Sequence, residues 1–171
     1  MKRLLSIVAV LCLLVTLVGC SGEGTSTATG DLRDYNAFII EFKDLVSKVP
    51  DYNIQQLSDV PLDDDVIAHI FHIKDTIFDE TYRLQVNTNA GGKITWVCLD
   101  KERGSRAELQ FAVFSLYAYE SMDFPTVDAD AFYAKYDLFS TENIFESDVC
   151  GAYKITSMSM ESNYITFSIK C

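Results

Sequence analysis

Basic residues are scarce in this chain of 171 residues, where 14 Lys and Arg stand against 25 Asp and Glu for a net charge of −11. Such a surface lacks the cations that neutralise phosphates, which excludes nucleic acid as a partner. It also disfavours docking of the protein surface on anionic lipid. Charged partners are therefore expected to be cationic, although solubility alone accounts for much of the acidity. Histidine is nearly absent: His69 and His72 are the only two, so any imidazole chemistry must use one of them. The apolar run Leu4 to Val18, broken only by Ser6 and Thr16, falls short of the roughly twenty residues that a bilayer-spanning helix needs. No internal repeat, Gly-x-Ser-x-Gly elbow or phosphate-binding loop is present.

The beginning of the chain carries the most specific signal. Lys2 and Arg3 precede the apolar run, and Leu17-Val18-Gly19-Cys20 follows it. A positive start, a short apolar core and a small residue before the cleavage point are the marks of an export signal. The last four residues resemble the lipobox of bacterial lipoproteins. That resemblance implies lipid attachment at Cys20, cleavage before it, and a mature protein held on the extracytoplasmic face of the cell membrane. Two acyl chains hold where one is marginal, because each buried CH₂ contributes about 0.8 kcal/mol. Residues 1–19 are then the signal peptide. Losing Lys2 and Arg3 leaves 12 basic against 25 acidic residues, or −13.

Residues 20–30 are small and polar without apolar periodicity, which suits a flexible tether. Residues 31–171 have the length and apolar content of a single globular domain. Three cysteines remain there, Cys98, Cys150 and Cys171. Cys150 and Cys171 bracket an expected hairpin turning near Glu161-Ser162-Asn163, which makes them a possible disulfide. Cys98 is then an inert thiol on an apolar strand.

Leu32, Tyr35, Phe38, Ile39, Phe42, Leu45, Val46 and Val49 recur at three- and four-residue steps. That spacing predicts a helix ended by Pro50. Asp51 to Asp65, with Pro61 and many aspartates, reads as an exposed connection. Val66 to Ile73 fits a helix or a strand, and its β-branched content favours the strand. Thr81 to Thr88 and Lys93 to Leu99, joined by Asn89-Ala90-Gly91-Gly92, predict a hairpin. Its second strand is expected to carry Ile94, Trp96 and Cys98 on one side. Ser105-Arg106-Ala107-Glu108 matches a capping box, with Leu109, Ala112, Val113, Leu116 and Tyr117 as the buried stripe behind it. Asp128 to Tyr136 predicts a short helix, and Tyr153 to Met158 with Tyr164 to Ile169 a closing hairpin. The expected fold is α+β, an antiparallel sheet of about five strands with helices packed on it, in the order α-β-β-β-α-α-β-β.

No catalytic constellation emerges. His69 and His72 with Asp65 and Asp75 would suit zinc or manganese, but odd spacing on a strand sends two side chains to opposite faces. Asp128-Ala129-Asp130 begins like a calcium loop, yet Phe132 and Tyr133 stand where a ligand and glycine are needed; a helix cap is the simpler reading. Paired carboxylates for glycoside hydrolysis mean little in a chain so rich in acids. Phe111, Phe114, Tyr117 and Tyr119 either reach the surface as a groove or are buried on two sides of their helix. The sequence thus favours a non-enzymatic, cofactor-free lipoprotein whose domain binds an envelope protein, a peptide or a small cationic ligand. A metal-binding protein and a carboxylate-dependent envelope hydrolase are the alternatives.

Overall fold

The computed structural model describes residues 31–77, 80–102, 108–136, 138, 145–159 and 164–171. The expected signal sequence with Cys20, the expected tether, the expected capping box at Ser105 and the expected turn at Glu161-Ser162-Asn163 lie outside the described residues.

Asp34 opens the first helix, α1 (Tyr35–Ser47), by accepting hydrogen bonds from the amides of Asn36 (3.0 Å) and Ala37 (3.2 Å). These satisfy donors that have no partner within the helix. Phe38, Ile39, Phe42 and Val46 form its buried stripe. Four strands follow, β1 (Tyr52–Pro61), β2 (Val66–Asp75), β3 (Thr81–Asn89) and β4 (Ile94–Glu102), and then helices α2 (Glu108–Ser121) and α3 (Ala129–Lys135). Strands β5 (Phe145–Cys150), β6 (Tyr153–Ser159) and β7 (Tyr164–Lys170) complete the chain. All seven strands form one antiparallel sheet in the order β1-β2-β3-β4-β7-β6-β5.

The fold is α+β as expected, but the sheet has seven strands and not five. The two additional strands are β1 and β5, at its edges. Asp51 to Asp65 reads as a connection in sequence because β1 buries no side chain fully, and a strand without a buried face shows no apolar alternation. Ile94 also departs from expectation. The register shifts between Asn87 and Thr88, so Ile94 stands opposite Thr88 and joins Val97 and Leu99 in the core, while Trp96 and Cys98 occupy the other face.

Cross-strand register places Phe71 beside Leu84, Leu84 beside Leu99, and Leu99 beside Phe167. These four side chains have no exposed surface, and the helices pack on them. Phe114 of α2 meets Tyr82 edge-on at 5.2 Å, and Phe132 of α3 meets Phe167 at 5.7 Å. Phe111 and Phe114 are fully buried, Tyr119 is buried and Tyr117 half-buried. Packing on two sides of α2 thus takes up Phe111, Phe114 and Tyr119, and Tyr117 in part. Asp128 caps α3 through the amide of Ala131 (3.1 Å), as the helix-cap reading of these acids expects.

No disulfide joins Cys150 to Cys171. Cys150 pairs with Tyr153 on β5–β6, and the β6–β7 register, which sets Lys154 opposite Lys170, brings Cys171 to the other side of that same Tyr153. A whole strand stands between the two cysteines. Two strand spacings are roughly 9.5 Å, beyond the Cα separation of about 4.4–6.8 Å that a disulfide bridges. Cys98 is buried, and burial, followed by the Asp100 carboxylate, pushes its thiol up to about 12. That favours the unreactive protonated form.

The segment before α1 is stitched to the middle of the sheet. The amide of Ile94 donates to the Arg33 carbonyl (2.9 Å), the amide of Tyr35 to the Gly92 carbonyl (3.1 Å), and Asp34 and Lys93 form a bridge. The Tyr153 hydroxyl accepts from the Arg33 amide and donates to the Ile94 carbonyl, each at 2.9 Å.

Candidate interaction surface

The predicted metal set does not come together. His69 pairs with Val86 and His72 with Arg83 across the β2–β3 ladder, three residues apart and therefore on opposite faces. Asp75 ends β2 and Asp65 precedes its start. A strand of that length separates them by about 30 Å. Among the described residues no group of three or more His, Cys, Asp or Glu converges as a metal site requires. The helical or bent Val66–Lys74 that such a site needs is instead a regular strand.

His69 is drawn into another arrangement. Its Nδ1 lies 2.7 Å from Asp59 Oδ1 on β1, and its Nε2 lies 3.1 Å from Thr88 Oγ1 on β3. The ring of Tyr35 stacks on the imidazole at 4.0 Å. Carboxylate, imidazole and hydroxyl follow one another in the order of a nucleophilic relay. The hydroxyl is the obstacle, because Thr88 is only 2% exposed and offers no approach to a substrate. The array instead ties three strands and α1 together. Burial and then the Asp59 carboxylate push the Tyr35 hydroxyl up to about 12, as expected for a phenol held close to a negative charge. Sequence reading missed the array because its members are scattered, and only the register of β1 against β2 sets Asp59 opposite His69.

A second polar group lies at the far end of β2. Lys101, 7% exposed, donates to Glu80 and to the Tyr82 hydroxyl (3.3 Å) and stands over the Tyr82 ring. Burial raises the hydroxyls of Tyr52 and Tyr82, with Asp75 adding to the rise at Tyr52. The Lys101 cation answers the half-buried Glu80 carboxylate. A cavity of ≈ 340 Å³ lies beside Arg33, Asp34, Asp123 and Tyr153. Its cation is engaged already, since the Arg33 guanidinium bonds Glu41 (2.9 Å) and the Ser121 carbonyl (3.0 Å) and lies 3.5 Å from Asp123.

The remaining concentration of chemistry is the β1–β2 ribbon. Leu57, Val60, Leu62 and Ile67 are exposed there, together with Asp59, Asp63, Asp64 and Asp65. Residues 49–73 contain no Lys or Arg. Among the described residues β1 pairs only with β2, so its other edge is open. Val60 shares the face of Ala68 and Ile67 that of Pro61 and His69, so both faces of the ribbon carry exposed apolar side chains. The clamp at His69 fixes their geometry, a condition that lowers the ordering cost of binding. Asp65 thus belongs to the surface, and His69 supports it from beneath. Comparisons with protein-family models, curated proteins and solved structures return no match for this chain.

Proposed function

We propose that the protein is a lipoprotein, anchored by lipid at Cys20 on the extracytoplasmic face of the cell membrane, whose α+β domain binds a protein or peptide partner without catalysing a reaction. The anchor rests on the resemblance of Leu17-Val18-Gly19-Cys20 to a lipobox. The binding role rests on one observation, the exposed leucines, valine and isoleucine of the β1–β2 ribbon interspersed with aspartates. Exposed apolar side chains interspersed with charge of one sign favour a partner that offers both apolar contact and basic groups.

The test is capture in place. The full chain is expressed in its own envelope, crosslinked with a zero-length carboxyl-to-amine reagent and solubilised in detergent. A lysine-bearing partner joined to Asp59, Asp63, Asp64 or Asp65 is expected, and Leu57→Ser/Leu62→Ser should weaken its recovery at least about tenfold, equivalent to ~1.4 kcal/mol. Cys20→Ser should move the chain out of the membrane fraction. Failure to recover any crosslinked partner would overturn the binding role, and retention of Cys20→Ser in the membrane would overturn the lipid anchor.

A further inference from the structure

The phase of the β1–β2 ladder determines which backbone groups of β1 remain available. The Thr76 amide donates to the Asp51 carbonyl (2.8 Å) and Asp51 stands just before β1, so Asp51, Asn53 and Gln55 exchange hydrogen bonds with β2. Antiparallel pairing alternates, and Tyr52, Ile54 and Gln56 therefore turn their amides and carbonyls away from β2. Beyond the bulge between Gln56 and Ser58, the Leu62 amide donates to the Val66 carbonyl (2.9 Å). That sets Asp59 and Pro61 outward. Pro61 has no amide to leave unsatisfied, which fits its place on the open edge.

Proteins blunt free edges with charge, proline or bulges. Beyond Gln56 the strand has all three, in the bulge, Asp59 and Pro61. Tyr52 to Gln56 has none: the run Tyr-Asn-Ile-Gln-Gln is uncharged and regular, and among the described residues no strand pairs with its outer side. We infer that this edge takes an added β-strand, supplied by an extended, lysine- or arginine-bearing segment of the partner protein. The backbone of that segment pairs with Ile54 and Gln56 and its cations face Asp59 and Asp63–Asp65. This rests on the binding role proposed above and specifies its mode. A basic segment is preferred to a second copy because each copy is strongly acidic, −11 for the full chain and −13 once Lys2 and Arg3 are lost, and like charge opposes self-pairing. Backbone pairing supplies affinity in strand addition, while alternate side chains and the acidic tip supply selectivity.

The probe is a capped peptide of about ten residues alternating lysine and valine, the length of a strand, added to the detergent-solubilised full chain. Two controls accompany it, one with glutamate for every lysine and one with two valines changed to proline. The lysine peptide is expected to slow hydrogen exchange of the Ile54 and Gln56 amides at least about tenfold, and neither control should do so. Gln56→Pro removes an outward amide and should abolish the protection at Ile54. Asp63→Lys/Asp64→Lys keeps the edge and should reduce affinity and its dependence on salt. Thermal unfolding of both variants establishes that they fold, and Gln56→Lys, which keeps the amide but charges the edge, replaces the proline variant if that one does not. Three results would each overturn strand addition: protection unchanged by an edge variant, equal binding of the proline-broken peptide, or a dimer in equilibrium sedimentation that the edge variant dissolves. If a crosslinked partner is recovered while the edge amides stay unprotected by any probe, the binding role stands and the mode falls. If neither partner nor peptide engages the protein, both fall.

Discussion

β1 and β5 are the outer strands of one sheet, and they differ in length, charge and cover. β5 has six residues and carries Glu146 and Asp148. Asp148 is held by the Lys135 side chain at the end of α3 and accepts from the Val149 amide (2.8 Å). A short, charged edge tied to a helix has little to offer another strand. β1 has ten residues, and eight of them are exposed. Its first half carries no charge, and it is attached through β2, the His69 clamp and Tyr52, whose ring meets Phe114 of α2 at 5.2 Å. One edge is closed by its own side chains; the other is held rigid from behind and left open.

The largest effect should come from removing what holds β1 in place. Phe71 lies on β2 behind Gln56 and is fully buried. Phe71→Ala should cost ~3–5 kcal/mol, read as a fall in the urea midpoint, and a loss below ~1 kcal/mol would mean that β2 does not anchor the ribbon. Next in size is the contrast between neighbouring prolines. Gln55→Pro removes an amide that points into the ladder and leaves a partner on His72 unsatisfied, for ~1–3 kcal/mol, whereas Gln56→Pro removes one that faces solvent and should cost less. Equal losses in chemical denaturation would show that the inferred ladder phase is wrong.

The third prediction opens the closed edge. Glu146→Thr/Asp148→Thr removes the charges of β5 and its tie to Lys135, a surface pair worth ~0–1 kcal/mol. Stability should change little, but concentration-dependent association should appear in sedimentation velocity; a strictly unchanged sedimentation coefficient would remove charge as the reason β5 is closed. The smallest effect concerns pH. The Tyr35 hydroxyl is pushed from its ordinary 10.0 up to about 12 by burial and then by Asp59, so the native state holds this proton more tightly than the unfolded chain. Its contribution is complete below pH 10 and is lost as pH rises through about 12. Tyr35→Phe should therefore lose stability less steeply than the parent over that interval in alkaline denaturation. Parallel curves would show that the ring does not report on the clamp.

The interior strands and α1 were legible because burial writes a period into sequence, whereas the stripe expected on α2 was not, since Leu109 is exposed and Phe111, Phe114 and Ala118 are buried. Phe38, Phe42 and Val46 mark the inner face of α1, Tyr82, Leu84 and Val86 that of β3, and the Asp34 and Asp128 caps are local enough to act within three residues. The edge strands were not legible, since Asn53 to Pro61 is mostly exposed on both faces and one extra residue at Leu57 shifts what alternation remains. The candidate surface was legible only in part. Asp65 and His69 drew notice as titratable residues, but their use depends on pairings 10 and 19 residues apart in sequence, from His69 to Asp59 and to Thr88. Cys150 and Cys171 fail for a related reason, because the interposition of Tyr153 follows from strand order and not from spacing.

The stitching of Arg33 and Asp34 to Ile94 and Lys93 determines how the domain responds to force. Tension applied to the chain ahead of residue 31 enters at β4, a strand with neighbours on both sides, and passes through the Tyr153 hydroxyl to β6 as well. Several hydrogen bonds share that load before any strand peels away. β1 lies three strands from that entry point, and the Tyr35–His69–Asp59 array links it to the loaded segment.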